Sequence, residues 1–277
     1  MINHSTKEWV AQRLPSRPTD ANKGTFGKVL VIAGSENFPG AAYLACAGAY
    51  RVGAGLITLT TETKVKMIVS RKLPEVTFSS RDEVFKKLNE YNVLLIGPGL
   101  GQSNKTTKLV RNLLMEKLPE TIIDGDGLNI LSKAGEWWEK LQGEVILTPH
   151  PGEMSRLTGL SIKKIQTDRI NTAQYFANKW DKIIVLKGAN TIVVSPTGEV
   201  KVSPFANPVL ATAGTGDVLA GVIAGFLSQG LKPFEASCVG VYIHGLAGEM
   251  LRKKIGDAGA LASDLLSILP LTLKNLV

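Results

Sequence analysis

Short apolar runs alternate with longer Ala-rich or amphipathic stretches over most of this chain. Six of the runs are nearly continuous in Val, Ile and Leu, which is typical of strands buried on both faces; they are residues 28–34, 56–60, 93–97, 121–124, 145–148 and 183–186. Helical stretches separate most of them, at residues 39–51, 105–117, 152–158 and 163–180. This alternation predicts an α/β fold with a mostly parallel sheet covered on both faces.

The two ends of the chain differ from this pattern. Residues 191–194 and 200–202 flank Pro196-Thr197-Gly198 and predict a hairpin. From Gly216 onward the chain is largely helical. Residues 1–22 are polar and are expected to form an N-terminal leader. We find no repeat, low-complexity segment or linker after it, so residues 23–277 are expected to form a single domain.

Composition and charge limit the kinds of molecule that this chain is expected to bind. The chain has 277 residues, of which 44% are hydrophobic, so it can bury a large core. Its net charge is +8, but the basic residues are spread along the chain and the densest group is Arg252-Lys253-Lys254. This distribution argues against nucleic acid as a partner and is compatible with small anionic ligands.

Targeting signals and cysteines indicate the compartment. The N-terminus has no apolar signal region, and no apolar run is long enough for a transmembrane helix. Cys46 and Cys238 lie far apart in apolar contexts, which predicts buried, reduced thiols. We therefore expect a cytoplasmic protein without a membrane partner.

Residues typical of ligand sites follow the predicted strands. Ligands of open α/β sheets bind outside the carboxyl ends of the strands. The segments at those ends are rich in Gly, Pro, Asp, His and Lys: they are residues 34–42, 97–101, 124–127, 148–153 and 187–191. We expect them to assemble into one site.

The segment Asn207 to Asp217 is the most informative of the chain. It places Gly214-Thr215-Gly216-Asp217 at the start of an apolar helix, where free backbone N–H groups favour an anion. Asp217 has two readings. It could be a helix cap that accepts backbone N–H groups, or a general base that deprotonates an attacking hydroxyl during phosphoryl transfer.

Other residues give weaker evidence of a ligand site. His150 is held between two prolines, and Lys187 directly follows a buried strand, so contact with a ligand is favoured for both. Asp124 and Asp126 could be turn and cap residues. The loop at residues 97–101 lacks the G-x-G-x-x-G spacing, and no Walker A motif is present.

Five motifs together resemble one known family, that of ADP-dependent NAD(P)H-hydrate dehydratases within the ribokinase-fold group. The motifs are, in chain order, residues 23–28, 97–101, 148–153, 186–191 and 213–217. The resemblance implies a ribokinase-like three-layer α/β/α sandwich. It also implies repair of NADHX and NADPHX, the hydrates of the reduced nicotinamide cofactors: a ring hydroxyl is phosphorylated and phosphate is then eliminated.

The resemblance implies three sets of site residues. The catalytic set is the base Asp217 with an anion hole formed by Gly214, Thr215 and Gly216. The positions matching hydrate contacts are Ala41, Gly101, His150 and Asp217. The positions matching the adenine-nucleotide site are Lys187, Gly188, Ala189, Asn190, Thr191 and Gly216.

The resemblance also implies the co-substrate and the metal. The arrangement without a fused epimerase domain favours ADP over ATP as donor, and Mg²⁺ is expected as cofactor. Related kinases carry an Asn-x-x-Glu motif that organises Mg²⁺ through water, whereas this chain has His150-x-x-Glu153. Glu153 is thus the candidate metal residue. The family also suggests a homotetramer.

Two other functions fit the same residues. A small-molecule kinase acting on a vitamin precursor or sugar alcohol would use the same base and anion hole, but it would release a stable phosphorylated product. A non-catalytic nucleotide sensor would keep the binding loops, although a binder gains nothing from a carboxylate beside phosphate.

Overall fold

A nine-stranded sheet forms the centre of the computed structural model, which describes residues 4–276. Its order is β3-β2-β1-β4-β5-β6-β7-β8-β9, with β1 to β7 parallel and β8 and β9 antiparallel. The predicted mostly parallel sheet and the hairpin are confirmed. The strands are β1 (Lys28–Ile32), β2 (Leu56–Thr60), β3 (Thr77–Phe78), β4 (Val93–Ile96), β5 (Glu120–Ile123), β6 (Val145–Leu147), β7 (Ile183–Leu186), β8 (Ile192–Val194) and β9 (Val200–Val202).

Helices cover both faces of this sheet. In the described part of the chain they are α1 (Lys7–Ala11), α2 (Pro39–Arg51), α3 (Thr63–Lys72), α4 (Arg81–Lys87), α5 (Asn104–Leu113), α6 (Asp126–Leu131), α7 (Trp137–Lys140), α8 (Pro151–Thr158), α9 (Ile162–Thr167), α10 (Arg169–Trp180), α11 (Thr215–Ser228), α12 (Pro233–Ile255) and α13 (Ala262–Lys274). Short 3₁₀ turns occur at Leu88–Glu90 and Pro208–Leu210. None of these helices has the length and apolar character needed to cross a bilayer.

One predicted helix is wrong in its extent. The stretch 163–180 was expected to be continuous, but Asp168, with φ −142° and ψ 66°, separates α9 from α10. The apolar spacing is interrupted here, because the positions three and four residues after Ile165 are Asp168 and Arg169. The break turns Arg169 toward the site described below.

Alternate residues of β1 divide the core into two layers. Val29 and Val31 join the cluster that contains α2, α11, α12 and α13. Leu30 and Ile32 join the opposite cluster, which contains α5, α6, α8 and α10. Since successive side chains of a strand point to opposite faces, this pattern gives the three-layer α/β/α arrangement.

Glycines let α11 pack closely on α2. A Cβ on Gly221 would lie 2.0 Å from the carbonyl oxygen of Ala45, and one on Gly225 would lie 2.7 Å from that of Ala49. No side chain fits at such distances, so the Gly-x-x-x-Gly spacing of α11 is a packing requirement. The contact fixes the start of α11, and with it Asp217, relative to the sheet.

The expected N-terminal leader contains ordered structure. Helix α1 buries Val10 completely in the core layer of α12, and Arg13 forms a 3.0 Å ion pair with Glu235. Residues 1–3 of the leader lie outside the described residues. The two cysteines are buried and reduced, as predicted.

Candidate active site

The carboxyl ends of the central strands meet in one region. Backbone hydrogen bonds join the loops there: Gly34 N–H donates to Pro98 O at 2.9 Å, and Lys187 N–H donates to Pro149 O at 2.9 Å. A Cβ on Gly97, which has φ +122°, would lie 1.9 Å from Asp124 O. The loops after β1, β4, β5, β6 and β7 are thus held in contact, as the positions of their polar residues suggest.

The ammonium group of Lys187 organises a buried charge cluster. Its Nζ lies 2.6 Å from Asp124 Oδ1 and 3.7 Å from Glu153 Oε2. The Thr148 hydroxyl donates to the same Asp124 oxygen at 2.6 Å. Burial lowers the pKa of Lys187, but the charges of Asp124 and Glu153 outweigh it, so the pKa is raised overall and the group stays protonated.

The same ammonium reaches the start of α11. A Cβ on Gly216 would lie 3.6 Å from Lys187 Nζ, so glycine leaves the approach open. Strands β5 and β7 and helices α8 and α11 therefore converge on one cation. Asp124, which the sequence left open as a turn residue, is a central member of the cluster.

Asp217 lies in the first turn of α11 and does not cap the helix. The N-cap is Gly214, with φ +92° and no side-chain cap hydrogen bond. Within residues 4–276 the carboxylate of Asp217 accepts no hydrogen bond. Burial raises its pKa to about 7, the negative charge of Asp124 adds to this, and Lys187 opposes it. The cap reading of Asp217 therefore does not fit this geometry.

The turn before Asp217 leaves backbone donors free. Thr215 is engaged within the protein, since its hydroxyl donates to Leu210 O at 2.7 Å and its N–H to Thr212 O at 3.3 Å. Gly216 N–H and Asp217 N–H have no acceptor among the described residues. These two groups, at the positive end of the α11 dipole, can bind an anion.

A pocket of about 460 Å³ lies beside this turn, between β7–β9 and α12. Five residues expected at the nucleotide site line it: Lys187, Gly188, Ala189, Thr191 and Gly216. The sixth, Asn190, does not line it; its Nδ2 donates to the carbonyl oxygen of the lining residue Ser203 at 3.0 Å.

Sequence reasoning missed several residues of this pocket. Phe205 and His244 line it, and Arg169 donates to Leu186 O at 3.0 Å and to Ala189 O beneath the loop. Burial lowers the pKa of His244 to about 4, so it is neutral, and its Nε2 lies 2.9 Å from Thr215 O. These residues come from distant parts of the chain and carry no local motif.

Two of the expected hydrate-contacting residues, Ala41 and Gly101, follow strands β1 and β4 in the chain. Ala41 lies at the start of α2, and its Cβ is 2.5 Å from the position of a Cβ on Gly99. Gly101, with φ +75°, donates its N–H to Asp126 Oδ2 at 2.8 Å. Asp126 thus joins the loops after β4 and β5.

His150 and Glu153 form a reciprocal cap at the start of α8. His150 Nδ1 accepts from Gly152 N–H at 3.0 Å, while Glu153 Oε2 accepts from His150 N–H at 2.7 Å. Burial lowers the pKa of His150, and the charge of Lys187 lowers it further. The imidazole is therefore neutral, and its Nε2–H faces Glu153 Oε1 at 3.4 Å.

The carboxylates of this region do not form a complete metal site by themselves. Burial raises the pKa of Glu153 to about 7, while Lys187 opposes the rise. Within residues 4–276, no three His, Cys, Asp or Glu side chains converge to hold a metal ion by themselves. A metal here would need oxygen ligands from water or phosphate as well.

The comparisons with known proteins agree with this geometry. The family model for NAD(P)H-hydrate dehydratase matches residues 29–271. The bifunctional NAD(P)H-hydrate repair enzyme Nnr of Moorella thermoacetica is 39% identical over 98% of this chain, and the chain spans 54% of that relative's length. The ADP-dependent (S)-NAD(P)H-hydrate dehydratase of Bacillus subtilis is 37% identical over 96% of this chain and 95% of its own.

Solved structures confirm the fold. The ADP/ATP-dependent NAD(P)H-hydrate dehydratase of Bacillus subtilis, co-crystallised with ATP/Mg²⁺, superposes with a TM-score of 0.90 at 36% identity, covering 100% of this chain and 99% of that one. Ribokinase of Thermotoga maritima, at 15% identity and a TM-score of 0.56 over 90% of this chain and 100% of its own, shares the fold alone. The resemblance drawn from the five motifs is confirmed: this chain belongs to the NAD(P)H-hydrate dehydratase family.

Proposed function

We propose that this protein dehydrates the S-form of NAD(P)H hydrate with ADP as phosphoryl donor, restoring NADH or NADPH and releasing AMP and phosphate. The observation that best supports this function is the environment of the Asp217 carboxylate. It is mostly buried, accepts no hydrogen bond within residues 4–276 and has a pKa raised to about 7. An unengaged carboxylate beside an anion site suits a general base that works near neutral pH.

The first step is phosphoryl transfer. Asp217 accepts the proton of the ring hydroxyl while that oxygen attacks the β-phosphorus of ADP. The bond from this phosphorus to the bridging oxygen breaks, and AMP leaves with the bridging oxygen. Gly216 N–H and Asp217 N–H, which have no acceptor among the described residues, would stabilise the charge that develops on the transferred group, and Lys187 Nζ lies near Gly216.

The second step is elimination. The ring carbon–oxygen bond breaks, phosphate departs with the electron pair, and the neighbouring ring carbon loses a proton as the double bond re-forms. The total is hydrate plus ADP giving the reduced cofactor, AMP, phosphate and one proton. A carboxylic acid at Asp217, formed in the first step, can return its proton to the departing phosphate.

The donor set also supports Mg²⁺ as cofactor. Asp124 and Glu153 offer oxygen ligands, which Mg²⁺ prefers, and Mg²⁺ commonly completes its shell with water and substrate phosphates. When bound, it would neutralise charge on the phosphates of the donor. The cytoplasmic location and the homotetramer stay predictions, which fractionation and light scattering of the purified protein would test.

The test is an assay of purified protein with hydrated NADH, Mg²⁺ and either ADP or ATP, following the return of reduced-nicotinamide absorbance. Recovery with ADP supports both the reaction and the donor. Recovery with ATP alone keeps the reaction and overturns the choice of donor. No recovery with either, together with a stable phosphorylated product from another hydroxyl compound, would assign a kinase instead.

A further inference from the structure

A second cavity opens at the carboxyl ends of β2 and β3, on the side of the sheet away from the nucleotide pocket. Its volume is about 680 Å³, within the range of about 300–1,000 Å³ usual for small-molecule sites. It is lined by residues from β3, from the loops after β1, β2 and β3 and from helices α3, α4 and α5, including Glu36, Thr61, Lys64, Phe78, Arg81 and Lys105. None of them belongs to the site described above.

The carboxylates of this cavity are already engaged. Glu36 is paired with Lys64 at 3.0 Å. Glu62 Oε2 accepts the N–H of Glu36 at 3.1 Å. Glu83 accepts the N–H of Ser80 at 2.9 Å, which lowers its pKa. Each of these three carboxylates therefore already has a partner inside the protein.

Three basic side chains that line the cavity have no carboxylate partner among the described residues. Among the described residues, no carboxylate lies within 4 Å of the charged groups of Lys66, Arg81 or Lys105. Arg81 Nη1 is buried without a hydrogen-bond partner, and Lys66 Nζ lies 5.1 Å from the centroid of the half-buried Phe78 ring. Unpaired cations beside an aromatic ring suit a ligand with phosphate groups and a flat base.

The cavity adjoins the hydrate side of the active site. Ser35 precedes Glu36, and its hydroxyl donates to Gly99 O at 2.8 Å. A Cβ on Gly101 would lie 3.6 Å from this Ser35 hydroxyl oxygen. Gly101, which is expected to contact the hydrate, therefore lies close to Ser35, the residue that precedes Glu36 in the cavity wall.

These observations indicate which part of the proposed substrate the cavity would hold. The hydrate is a dinucleotide, so its altered ring is joined through two phosphates to an adenosine. The donor ADP is assigned to the pocket at β7–β9, and this cavity lies toward the other edge of the sheet, beyond β1. The geometry points to this cavity as the binding site for the adenosine diphosphate arm of the hydrate, an inference that rests on the proposed function.

The test compares Arg81→Gln/Lys105→Gln with the wild-type protein. We expect the double variant to raise KM for the hydrate about tenfold, because charge-assisted contacts to phosphate are lost, with kcat and KM for ADP unchanged. Lys108→Gln is the matched control: this lysine is exposed on the same helix as Lys105 but does not line the cavity. A hydrate KM that is unchanged in the double variant overturns the inference.

A binding titration separates this inference from the proposed function. ADP-ribose is titrated into protein saturated with AMP, so that the nucleotide pocket is occupied. Weaker binding by the double variant, with normal binding by Lys108→Gln, supports the cavity as the site of this arm even if no dehydration is detected in the wild type. Equal binding by all three proteins overturns it, and so does weaker ADP-ribose binding combined with an unchanged hydrate KM.

Discussion

Replacing Asp217 by Asn should remove most activity while leaving a folded protein of increased stability. The amide has nearly the shape of the carboxylate but cannot accept a proton. Since Asp217 accepts no hydrogen bond within residues 4–276 and is not the cap of α11, the substitution breaks no structural contact there. Activity and stability are therefore expected to change in opposite directions, as at other strained active-site residues.

The expected loss of rate is large. Proton transfer to a positioned base contributes about 10²–10⁴-fold to a rate, so kcat should fall by about that factor. Nucleotide binding should persist, because the pocket at β7–β9 is lined by other side chains. The dissociation constant for ADP should therefore stay close to that of the wild type.

The expected gain in stability follows from the pKa. Burial raises the pKa of Asp217 from 3.8 to about 7, so the native state holds this proton more tightly than the unfolded state does. Stability is then lost as pH rises from about 4 to about 7, and the penalty is complete above that range. About three pKa units correspond to at most about 4 kcal/mol at pH 8, and to about 2 kcal/mol at pH 5.

The assays are hydrate turnover and urea unfolding at pH 5 and pH 8. Asp217→Asn should unfold at higher urea concentration than the wild type, by a larger margin at pH 8. Asp20→Asn, an exposed carboxylate remote from the site, is the matched control and should change neither quantity. Turnover near the wild-type rate would refute the general-base assignment. An unchanged urea midpoint at pH 8 would refute the reasoning on burial.

Three further predictions follow from the same cluster. Lys187→Met should destabilise the fold by about 3–5 kcal/mol, measured by urea unfolding, because Asp124 and Glu153 would be left buried without their cation; a loss below 1 kcal/mol would contradict this. Gly188→Val, at φ +145°, should weaken ADP binding in calorimetry more than hydrate binding, and equal losses for both ligands in this variant would relocate the nucleotide. Gly198→Val, at φ +91° in the hairpin, is the control for backbone strain. The wild-type rate should fall as pH drops below about 7, because the base must be ionised and its pKa is raised; a flat profile from pH 8 to pH 5 would exclude this base.

Strand prediction from the sequence succeeded because the signal is local. Buried parallel strands are continuous in Val, Ile and Leu, as in Val93–Ile96, and such runs depend only on burial of both faces. The two-residue strand Thr77–Phe78 has no such run, so its position depends on pairing with β2. The prediction from the local sequence pattern likewise did not include the break between α9 and α10 at Asp168.

Candidate site residues were found where a motif lies next to a strand end or a helix start. Asp217, Lys187 and His150 all follow this rule, since connectivity of a parallel sheet forces such positions to one edge. Arg169 and His244 follow no such rule. His244 lines the candidate nucleotide pocket from α12, and Arg169 at the start of α10 holds the loop after β7 through Leu186 O. Both contacts join segments far apart in the chain.

The sequence by itself determined all strands except Thr77–Phe78, the parallel sheet, the family and the glycine-rich turn before Asp217, because each depends on neighbouring residues or on chain order. Only the tertiary structure decided that Asp217 does not cap α11 and that Lys187 bridges Asp124 and Glu153. It also decided that three cations without a carboxylate partner among residues 4–276 line a second cavity. Those properties depend on distances and burial across the fold, and the electrostatic energy of a group is set by what surrounds it in space.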